Sequence, residues 1–595
     1  MRPGRIRGCT VPIGLHGSLS RSTEAFKVLP QIWGQGMNDG TLNILIGGEA
    51  GQGLVTVGQL LAKSLVRSGY SIVVTQSYQS RIRGGHNTFA IRVGVSEVTA
   101  PTDTVDLLIA FDRDTVTLHR NDLSSRGLVL LDEVLGIDGD SFLKVPFKDL
   151  AQDRFLNIVA LGVVCSLLGL NQGLVADTVD DLFGKKDETL ATENRRVLAA
   201  ASTWGGTQAI PSLKLPGVSN PAQRLMMNGN EAIALGALSA GVRFYSFYPM
   251  TPSTSIGLNL AAQARKMGLV VEQAEDEIAA INMAVGASFA GAPSMVATSG
   301  GGFALMVEGI SLAAMTETPL VVVVAQRPGP ATGLPTRTAQ ADLEFILHSG
   351  HGEFPRAVFT PGTVEECFHL TRRAFELAER YQGPMFVLTD QFLADSYRAV
   401  MPFELENLAP VKVAPEGIAS SPYLRYARTE SGVSPRLVPG MSEHLVVADS
   451  DEHTEDGHLT EDLFVSRQMV EKRLKKGEGI RTEVISPTME GEANPDLLLV
   501  SWGSNKGAVQ EVAFRMNTGG EKVATLHFSQ VWPLVPEHFI DHFESAREVV
   551  CIEGNALGQL ARLIRRETGF HIKKKVLRYD GLPMTPDSIL RELNR

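Results

Sequence analysis

The feature that most limits what this chain can fold into is a recurring order of segments. From Thr41 onward, short β-branched and aliphatic runs alternate with stretches whose apolar residues recur at helical spacing. This predicts strands lying parallel and joined by helices, because a parallel neighbour is reached only through a long crossover. The pattern repeats in three blocks, and 595 residues exceed what one hydrophobic core serves. The expected class is therefore α/β, with three consecutive open parallel-sheet domains.

In the first block a strand is expected over residues 42–46. A glycine turn follows, then Leu54, Val57, Leu61 and Leu65 on one helical face. Further strands fit residues 72–75, 89–93, 107–111 and 129–131. Gly205, Gly206, Pro211, Pro216 and Pro221 mark a connector. The second block offers strands at 244–247, 269–272, 295–298, 320–325 and 385–389, and the third at 497–500, 523–526 and 549–552. The resulting division is 1–36 as an extension, 37–190 as the first domain, 191–225 as a linker, 226–404 as the second domain, 405–490 as a polar, irregular connecting segment and 491–595 as the third domain. Residues 1–36 are Arg-rich with Glu24 as their one carboxylate. They are read as a disordered tail or a start placed ahead of Met37, rather than as an organelle transit peptide.

Composition excludes several function classes. With 44% hydrophobic and 20% charged residues the chain is globular. A formal net charge of -11 argues against nucleic acid or an anionic membrane as partner. Residues 278–307 carry no charge, but Asn282, Pro293 and Gly300-Gly301-Gly302 break that run, so no membrane span is expected. Cys9, Cys165, Cys367 and Cys551 stand far apart without a CxxC. They read as reduced thiols of a cytoplasmic protein, with no metal site on this chain.

Several turns carry chemistry. Gly47-Gly48-Glu49-Ala50-Gly51-Gln52-Gly53 joins a strand to a helix, where backbone N–H groups suit a phosphate, with Gly48, Gly51 and Gly53 as the candidates. Its spacing is not the dinucleotide fingerprint, and no acid ends the second strand; a plain tight turn explains it as well. Ser77 through Asn87 sets Arg81 and Arg83 beside Gly84-Gly85, either an anion or interface site or a solvated loop. In the second block Asn228-Gly229-Asn230-Glu231 precedes Tyr248-Pro249-Met250-Thr251-Pro252-Ser253-Thr254, a stiff hydroxyl-bearing turn at a strand's carboxyl end that also suits helix capping. Glu277 ends the acidic run Glu272–Glu277 and opens an apolar helix, where desolvation raises a carboxyl's pKa. Ser299-Gly300-Gly301-Gly302 permits close approach of a ligand. The run Gln326-Arg327-Pro328-Gly329-Pro330-Ala331-Thr332-Gly333-Leu334-Pro335-Thr336 sets a guanidinium after the most apolar strand, for a substrate carboxylate or a neighbouring acid.

The YPxTP turn and the QRxGPxTGxPT run resemble the α subunit of 2-oxoacid:ferredoxin oxidoreductases. The GEAGQG and SxxSxIRGGHN segments resemble the γ subunit of the same enzymes, and the third block, with Glu553-Gly554-Asn555-Ala556-Leu557-Gly558-Gln559-Leu560, resembles a transketolase C-terminal domain. The resemblance spans Met37 to the end. It implies a fused γα subunit: a γ-like Rossmannoid domain, a thiamine diphosphate pyrimidine-binding domain and a transketolase C-terminal-like domain. It further implies that Glu277 bonds the aminopyrimidine ring, that Thr251, Arg327 and Thr336 contact the 2-oxoacid, and that Tyr248, Pro249, Pro252, Gly300 and Gly301 shape the cofactor pocket. Gly48, Gly51, Gly53, Arg81 and Arg83 would hold coenzyme A.

Met250 stands where the family has isoleucine, a mild change in volume. No GDG followed by a downstream asparagine is present, and no cluster cysteines. The resemblance therefore implies a β subunit carrying Mg2+, the pyrophosphate contacts and a 4Fe-4S iron–sulfur cluster, a dimer of γα/β heterodimers, and electron delivery to ferredoxin. The expected activity is coenzyme A-dependent oxidative decarboxylation of a 2-oxoacid, with 2-oxoglutarate favoured over pyruvate, indolepyruvate or branched-chain acids. Two other readings are a non-catalytic scaffold subunit of the same complex and a nicotinamide-dependent dehydrogenase built on the first block.

Overall fold

The computed structural model describes residues 40–78, 85–183, 188–208, 210, 213–409, 411–413 and 422–595. The expectations for residues 1–36, and for Arg81 and Arg83, lie outside these. Thr41–Arg595 hold together as one unit built, among the described residues, on three sheets.

The first sheet runs Phe142–Val145, Leu123–Asp132, Val105–Ala110, Thr41–Glu49, His86–Gly94, Ser71–Ser77, Arg398–Val400, Leu225–Met227. Its first four strands are parallel. His86–Gly94 is antiparallel to both neighbours, so this sheet is mixed where a wholly parallel one was expected. The cause is the short connection after Ser77, which can close a hairpin but cannot hold a helical crossover. Two strands of this sheet flank the second block: Arg398–Val400 pairs with Ser71–Ser77, and Leu225–Met227 pairs with Arg398–Val400. First and second domains thus share one sheet.

The linker expected from residue 191 begins later. Helix Glu188–Gly206 buries Ala191, Val197, Leu198 and Ala201 and joins the first core. A Cβ on Gly162 of helix Leu156–Leu168 would stand 2.7 Å from the Ala201 Cβ, so the two helices pack almost backbone to backbone.

The second sheet orders Gln530–Trp532, Val358–Phe359, Pro384–Asp390, Leu320–Gln326, Ser294–Thr298, Phe244–Phe247 and Val270–Gln273. Six of the seven strands are parallel, and the antiparallel Gln530–Trp532 comes from the third block. The third sheet runs Thr488–Glu490, Val523–Phe528, Leu497–Trp502, Glu548–Glu553, Lys574–Leu577, with Thr488–Glu490 antiparallel. One core joins Val322, Val324 and Phe386 of the second sheet to Leu498, Val500 and Trp502 of the third, so the second and third domains are not separable by a clean cut.

The segment expected to be irregular, 405–490, contains the helix Leu463–Thr482. Its buried residues Met469, Lys472, Arg473, Lys476 and Ile480 keep helical spacing, yet three of the five are cationic. Hydrophobic periodicity cannot detect a stripe of that kind. The acidic, histidine-bearing stretch before it is structural: Arg473 donates to both carboxylate oxygens of Glu452 at 2.9 and 2.8 Å, and buried His453 lies on Tyr426 with ring centroids 3.9 Å apart. Among the described residues no helix is long and apolar enough to cross a membrane.

Candidate active site

From Phe244–Phe247 the chain passes through helix Thr254–Met267 to Val270–Gln273 on one side, then through helix Glu277–Phe289 to Ser294–Thr298 on the other. The two helices cover opposite faces, since Ile256 and Leu260 pack with Tyr245 and Phe247 while Ile281 and Ala284 pack with Val296 and Val322. Such a switch in strand order opens a crevice at the strands' carboxyl ends, where open α/β sheets bind ligands. The YPMTP turn, the acidic run, the glycine turn and Arg327 all leave the sheet there.

Glu277 is the first residue of its helix, and Asp276 caps it by accepting from Ala279 N at 2.7 Å. Capping thus falls to Asp276 and leaves Glu277 free. The Glu277 side chain is buried, with the residue 3% exposed, and its Oε1 has no hydrogen-bond partner. Desolvation pushes its carboxyl above the ordinary range, and Asp276 adds to the rise. The carboxylate fits only because residue 302 is glycine: a Cβ there would stand 2.4 Å from Glu277 Oε1 and 2.1 Å from Thr298 Oγ1.

Around this acid the other predicted residues assemble. Thr298 Oγ1 faces Met250 Sδ at 3.9 Å, which sets the YPMTP turn against the floor of the crevice. The turn is braced from behind by Asn230, whose Nδ2 donates to the Pro252 carbonyl and to Ser255 Oγ, each at 2.8 Å. Arg327 Nη1 donates to the Thr251 carbonyl at 2.6 Å, so these two expected substrate contacts meet. Pro252 is buried while Tyr248 and Pro249 are exposed at the rim, Tyr248 at 40%. Gly301 is open, with a Cβ position 3.7 Å from the Ala331 carbonyl. A Cβ on Gly300 would meet Asp342 Oδ2 at 2.6 Å. Thr336 is half-buried on the loop after Arg327.

That loop is held by all three blocks. Arg337 Nη1 donates to Ser77 Oγ of the first at 2.8 Å. Thr338 Oγ1 donates to Asp390 of the second at 3.3 Å. Gln340 binds the third through its N to the Gly554 carbonyl at 2.7 Å and its Nε2 to the Trp502 carbonyl at 2.9 Å, and its Oε1 accepts from Asn505 and Gly554. Glu553 of the third block stiffens this anchor by accepting from Trp502 Nε1, Asn555 and the N–H groups of Leu560 and Ala561.

In the first domain the strand continues to Glu49, so Gly47 and Gly48 are strand residues and the turn proper is shorter than expected. The physical reason is the full register of Thr41–Glu49 on His86–Gly94, which pairs Gly48 with Asn87. Gly51 and Gly53 hold positive φ of 102° and 81°, which the turn requires. Helix Leu54–Arg67 then starts without a side-chain cap, leaving N–H donors for an anion.

Sequence reasoning missed Thr298 and Asp342 as site residues, and named Asn230 and Gly302 only within their motifs. Three orphaned polar atoms, Asn230 Oδ1, Ser299 Oγ and Asp342 Oδ2, are buried in this crevice beside Glu277 Oε1. Unsatisfied groups so concentrated mark a place where a polar ligand belongs. Among the described residues no group of three or more His, Cys, Asp or Glu side chains is placed to hold a metal ion.

Comparison with known proteins agrees with this geometry. Residues 235–472 match the family model described as pyruvate flavodoxin/ferredoxin oxidoreductase, thiamine diP-bdg, and residues 43–204 match that of pyruvate ferredoxin/flavodoxin oxidoreductase. The α subunit of a 2-oxoacid:ferredoxin oxidoreductase from a Sulfolobus species is 31% identical over 92% of this chain and 96% of its own length. The chain belongs to the 2-oxoacid:ferredoxin oxidoreductase family, as an α subunit. The 2-oxoglutarate oxidoreductase subunit KorA of Mycobacterium tuberculosis is 28% identical over 92% of this chain and 90% of its own length. A solved 2-oxoglutarate:ferredoxin oxidoreductase from Magnetococcus marinus, with 2-oxoglutarate, coenzyme A and succinyl-CoA bound, superposes with a TM-score of 0.88 at 30% identity, covering 93% of this chain and 99% of that one.

Proposed function

We propose that this chain catalyses, together with a β subunit, the coenzyme A-dependent oxidative decarboxylation of a 2-oxoacid, releasing CO2, forming acyl-CoA and reducing ferredoxin. The observation that carries the reading is Glu277: a buried carboxyl oxygen without a partner, at the sheet's switch point, beside the contact between Arg327 and Thr251. The donor set fits the pyrimidine end of thiamine diphosphate. Glu277 offers a carboxyl whose hold on a proton burial strengthens, and Gly302 leaves the space its side chain occupies. When bound, that cofactor supplies the nucleophilic carbon and the electron sink that decarboxylation of a 2-oxoacid needs.

With that cofactor bound, Glu277 Oε1 would hold a proton toward a ring nitrogen and so favour one tautomer of the ring. Arg327 carries the fork that pairs a substrate carboxylate, and the Thr251 carbonyl aims it. Thr336 completes the substrate contacts from the loop that three blocks hold. The Gly48, Gly51, Gly53 turn takes coenzyme A phosphate on the uncapped helix Leu54–Arg67, joined by Arg81 and Arg83. Tyr248, Pro249, Pro252, Gly300 and Gly301 line the cofactor's approach. Mg2+ and the 4Fe-4S cluster belong to the β subunit, and the assembly is a dimer of γα/β heterodimers in the cytoplasm. The preference for 2-oxoglutarate is supported by relatives named for that substrate.

The test is to produce the chain with and without a cluster-bearing β partner. A panel of 2-oxoacids is then assayed for acyl-CoA and reduced ferredoxin, and thiamine diphosphate binding is followed by calorimetry. Turnover is expected only from the complex, fastest with 2-oxoglutarate, and Glu277→Gln should weaken cofactor binding as well as turnover. Full activity of the chain alone would sink the proposal.

A further inference from the structure

We infer that His86, held through His119 by Asp122, is a further ligand-binding residue of this chain, and that its Nδ1 accepts a hydrogen bond from a hydroxyl or amino group at the nucleotide end of coenzyme A. The inference rests on the reading of the glycine turn as the phosphate site for that molecule.

Three side chains of the first domain form a hydrogen-bonded row. Asp122 Oδ2 lies 2.9 Å from His119 Nδ1, and His119 Nε2 lies 2.9 Å from His86 Nε2. The fold holds both histidines in place. His119 ends the helix Arg113–His119, whose start is fixed by Asp112, its Oδ1 accepting from Thr115 N at 2.8 Å and from Thr115 Oγ1 at 2.7 Å. A Cβ at residue 47 would stand 2.5 Å from Thr115 Cγ2 and 3.1 Å from His86 Cε1, so Gly47 is what lets helix and imidazole close on the strand. At the far end of the row His86 Nδ1 is buried and has no hydrogen-bond partner among the described residues.

The row has a direction. A carboxylate only accepts, so His119 donates from Nδ1 and its Nε2 carries the lone pair. His86 must then donate from Nε2, which leaves the lone pair on Nδ1. Burial first, and the His119 ring second, push the His86 imidazole below its ordinary value against the pull of Asp112 and Asp114, which disfavours a second proton there. What this position lacks is a donor, and a buried acceptor without one marks a place for a ligand.

Its location selects the ligand. His86 stands opposite Glu49, the last strand residue before the turn of Gly51 and Gly53. Beyond that turn the uncapped helix Leu54–Arg67 offers N–H groups to a phosphate. His86 and Thr88 share one face of their strand, and Thr88 stands opposite Ser77. Ser77 Oγ accepts from Arg337 of the loop that carries Thr336. The imidazole thus lies beside the phosphate donors, on the side of the first sheet turned to the active-site loop. A ligand with phosphates on the turn and its other end toward the crevice meets both features, and coenzyme A carries hydroxyl and amino donors next to its phosphates.

The experiment uses the complete complex and measures Kd by calorimetry for coenzyme A, adenosine 3′,5′-bisphosphate and pantetheine. His86→Ala is expected to weaken coenzyme A and the bisphosphate about tenfold and to leave pantetheine unchanged. KM for coenzyme A should rise in step, while KM for 2-oxoglutarate should not. His86→Asn returns an acceptor near the position of Nδ1 and should recover most of the loss, which a merely structural histidine would not allow. An unchanged Kd for coenzyme A in His86→Ala, or an equal loss in the alanine and asparagine variants, overturns the inference. A loss seen with pantetheine and not with the bisphosphate overturns the assignment to the nucleotide end. Should His86→Ala not fold, Asp122→Asn unties the direction of the row while leaving His86 in place, and is expected to weaken coenzyme A about threefold; an unchanged Kd there has the same negative force. Gly51→Ala, strained at its φ of 102°, separates this from the functional reading. If it too leaves coenzyme A binding unchanged, the turn is misassigned. If it weakens binding and His86→Ala does not, only the role of His86 fails.

Discussion

Two buried glutamates in the second domain differ in almost everything but burial. Glu277 is 3% exposed, has no cation beside it, and its carboxyl is pushed up by desolvation. Glu317 is fully buried, yet Lys472 Nζ donates to it at 2.5 Å and Lys476 Nζ at 2.9 Å. Arg425 bonds its carbonyl at 2.8 Å. These cations overcome the burial and hold the carboxyl at about 2. Burial alone thus does not tell a working acid from a structural one; the partners do. Glu317 clamps helix Leu463–Thr482 to the second domain, whereas Glu277 has a free oxygen that only a ligand would satisfy.

The largest expected effect follows from replacing the unpartnered acid. Glu277→Gln should reduce kcat of the complex by about 10²–10⁴-fold, the range for a positioned proton donor. The thermal midpoint should hold or rise, because Oε1 has no partner to lose and a desolvated charge is removed. A fall in Tm equal to that of a core mutation would make Glu277 structural and erase the contrast. Glu317→Gln should do the reverse. Removing one member of a buried ionic cluster strands two lysines and costs about 3–5 kcal/mol in urea unfolding, while kcat per folded molecule stays near that of the unaltered enzyme.

Smaller is the effect of Gly302→Ala. Its methyl would overlap Glu277 Oε1 and Thr298 Oγ1, an overpacking worth about 1–3 kcal/mol. Because the atom displaced is Glu277's, turnover should drop far more than stability. Gly286→Ala, exposed on helix Glu277–Phe289, is the control, with nothing within 4 Å of its Cβ position, and should lose little of either.

The contrast also explains what the sequence made legible. Glu277 could be read because local signals converge: an acid at the end of a polar run, then the apolar run Ile278-Ala279-Ala280-Ile281. The parallel strands showed for the same reason, since a buried strand is a continuous apolar run. Short strands such as Arg398–Val400 and Leu225–Met227 did not, because what makes them strands is an edge contributed by another block. Glu317 sits in Thr316-Glu317-Thr318 with partners 155 and 159 residues onward, and no local pattern announces such a pairing. Asp342, just before Leu343, reads as an ordinary helix start. Only the fold shows it against Gly300. Arg81 and Arg83 lie outside the described residues, so the proposed coenzyme A site rests on the glycine turn and its uncapped helix.

The smallest effect, about 1 kcal/mol or less for Glu277→Gln, sharpens the comparison most because the two acids must move in opposite directions with pH. Glu317 has a depressed pKa in the folded chain, so its stabilisation is present above the unfolded value near 4.5 and is lost as pH falls toward about 2. The deficit of Glu317→Gln should therefore shrink in acid. Glu277 has a raised pKa, so the folded state is unpenalised below that unfolded value and bears an unpaired charge as pH rises through the folded one. Glu277→Gln should match the unaltered chain near pH 4 and exceed it in stability at pH 8. Urea midpoints of the two variants across that range, each against the unaltered chain, measure this directly, and curves bending the same way would mean that both acids are paired.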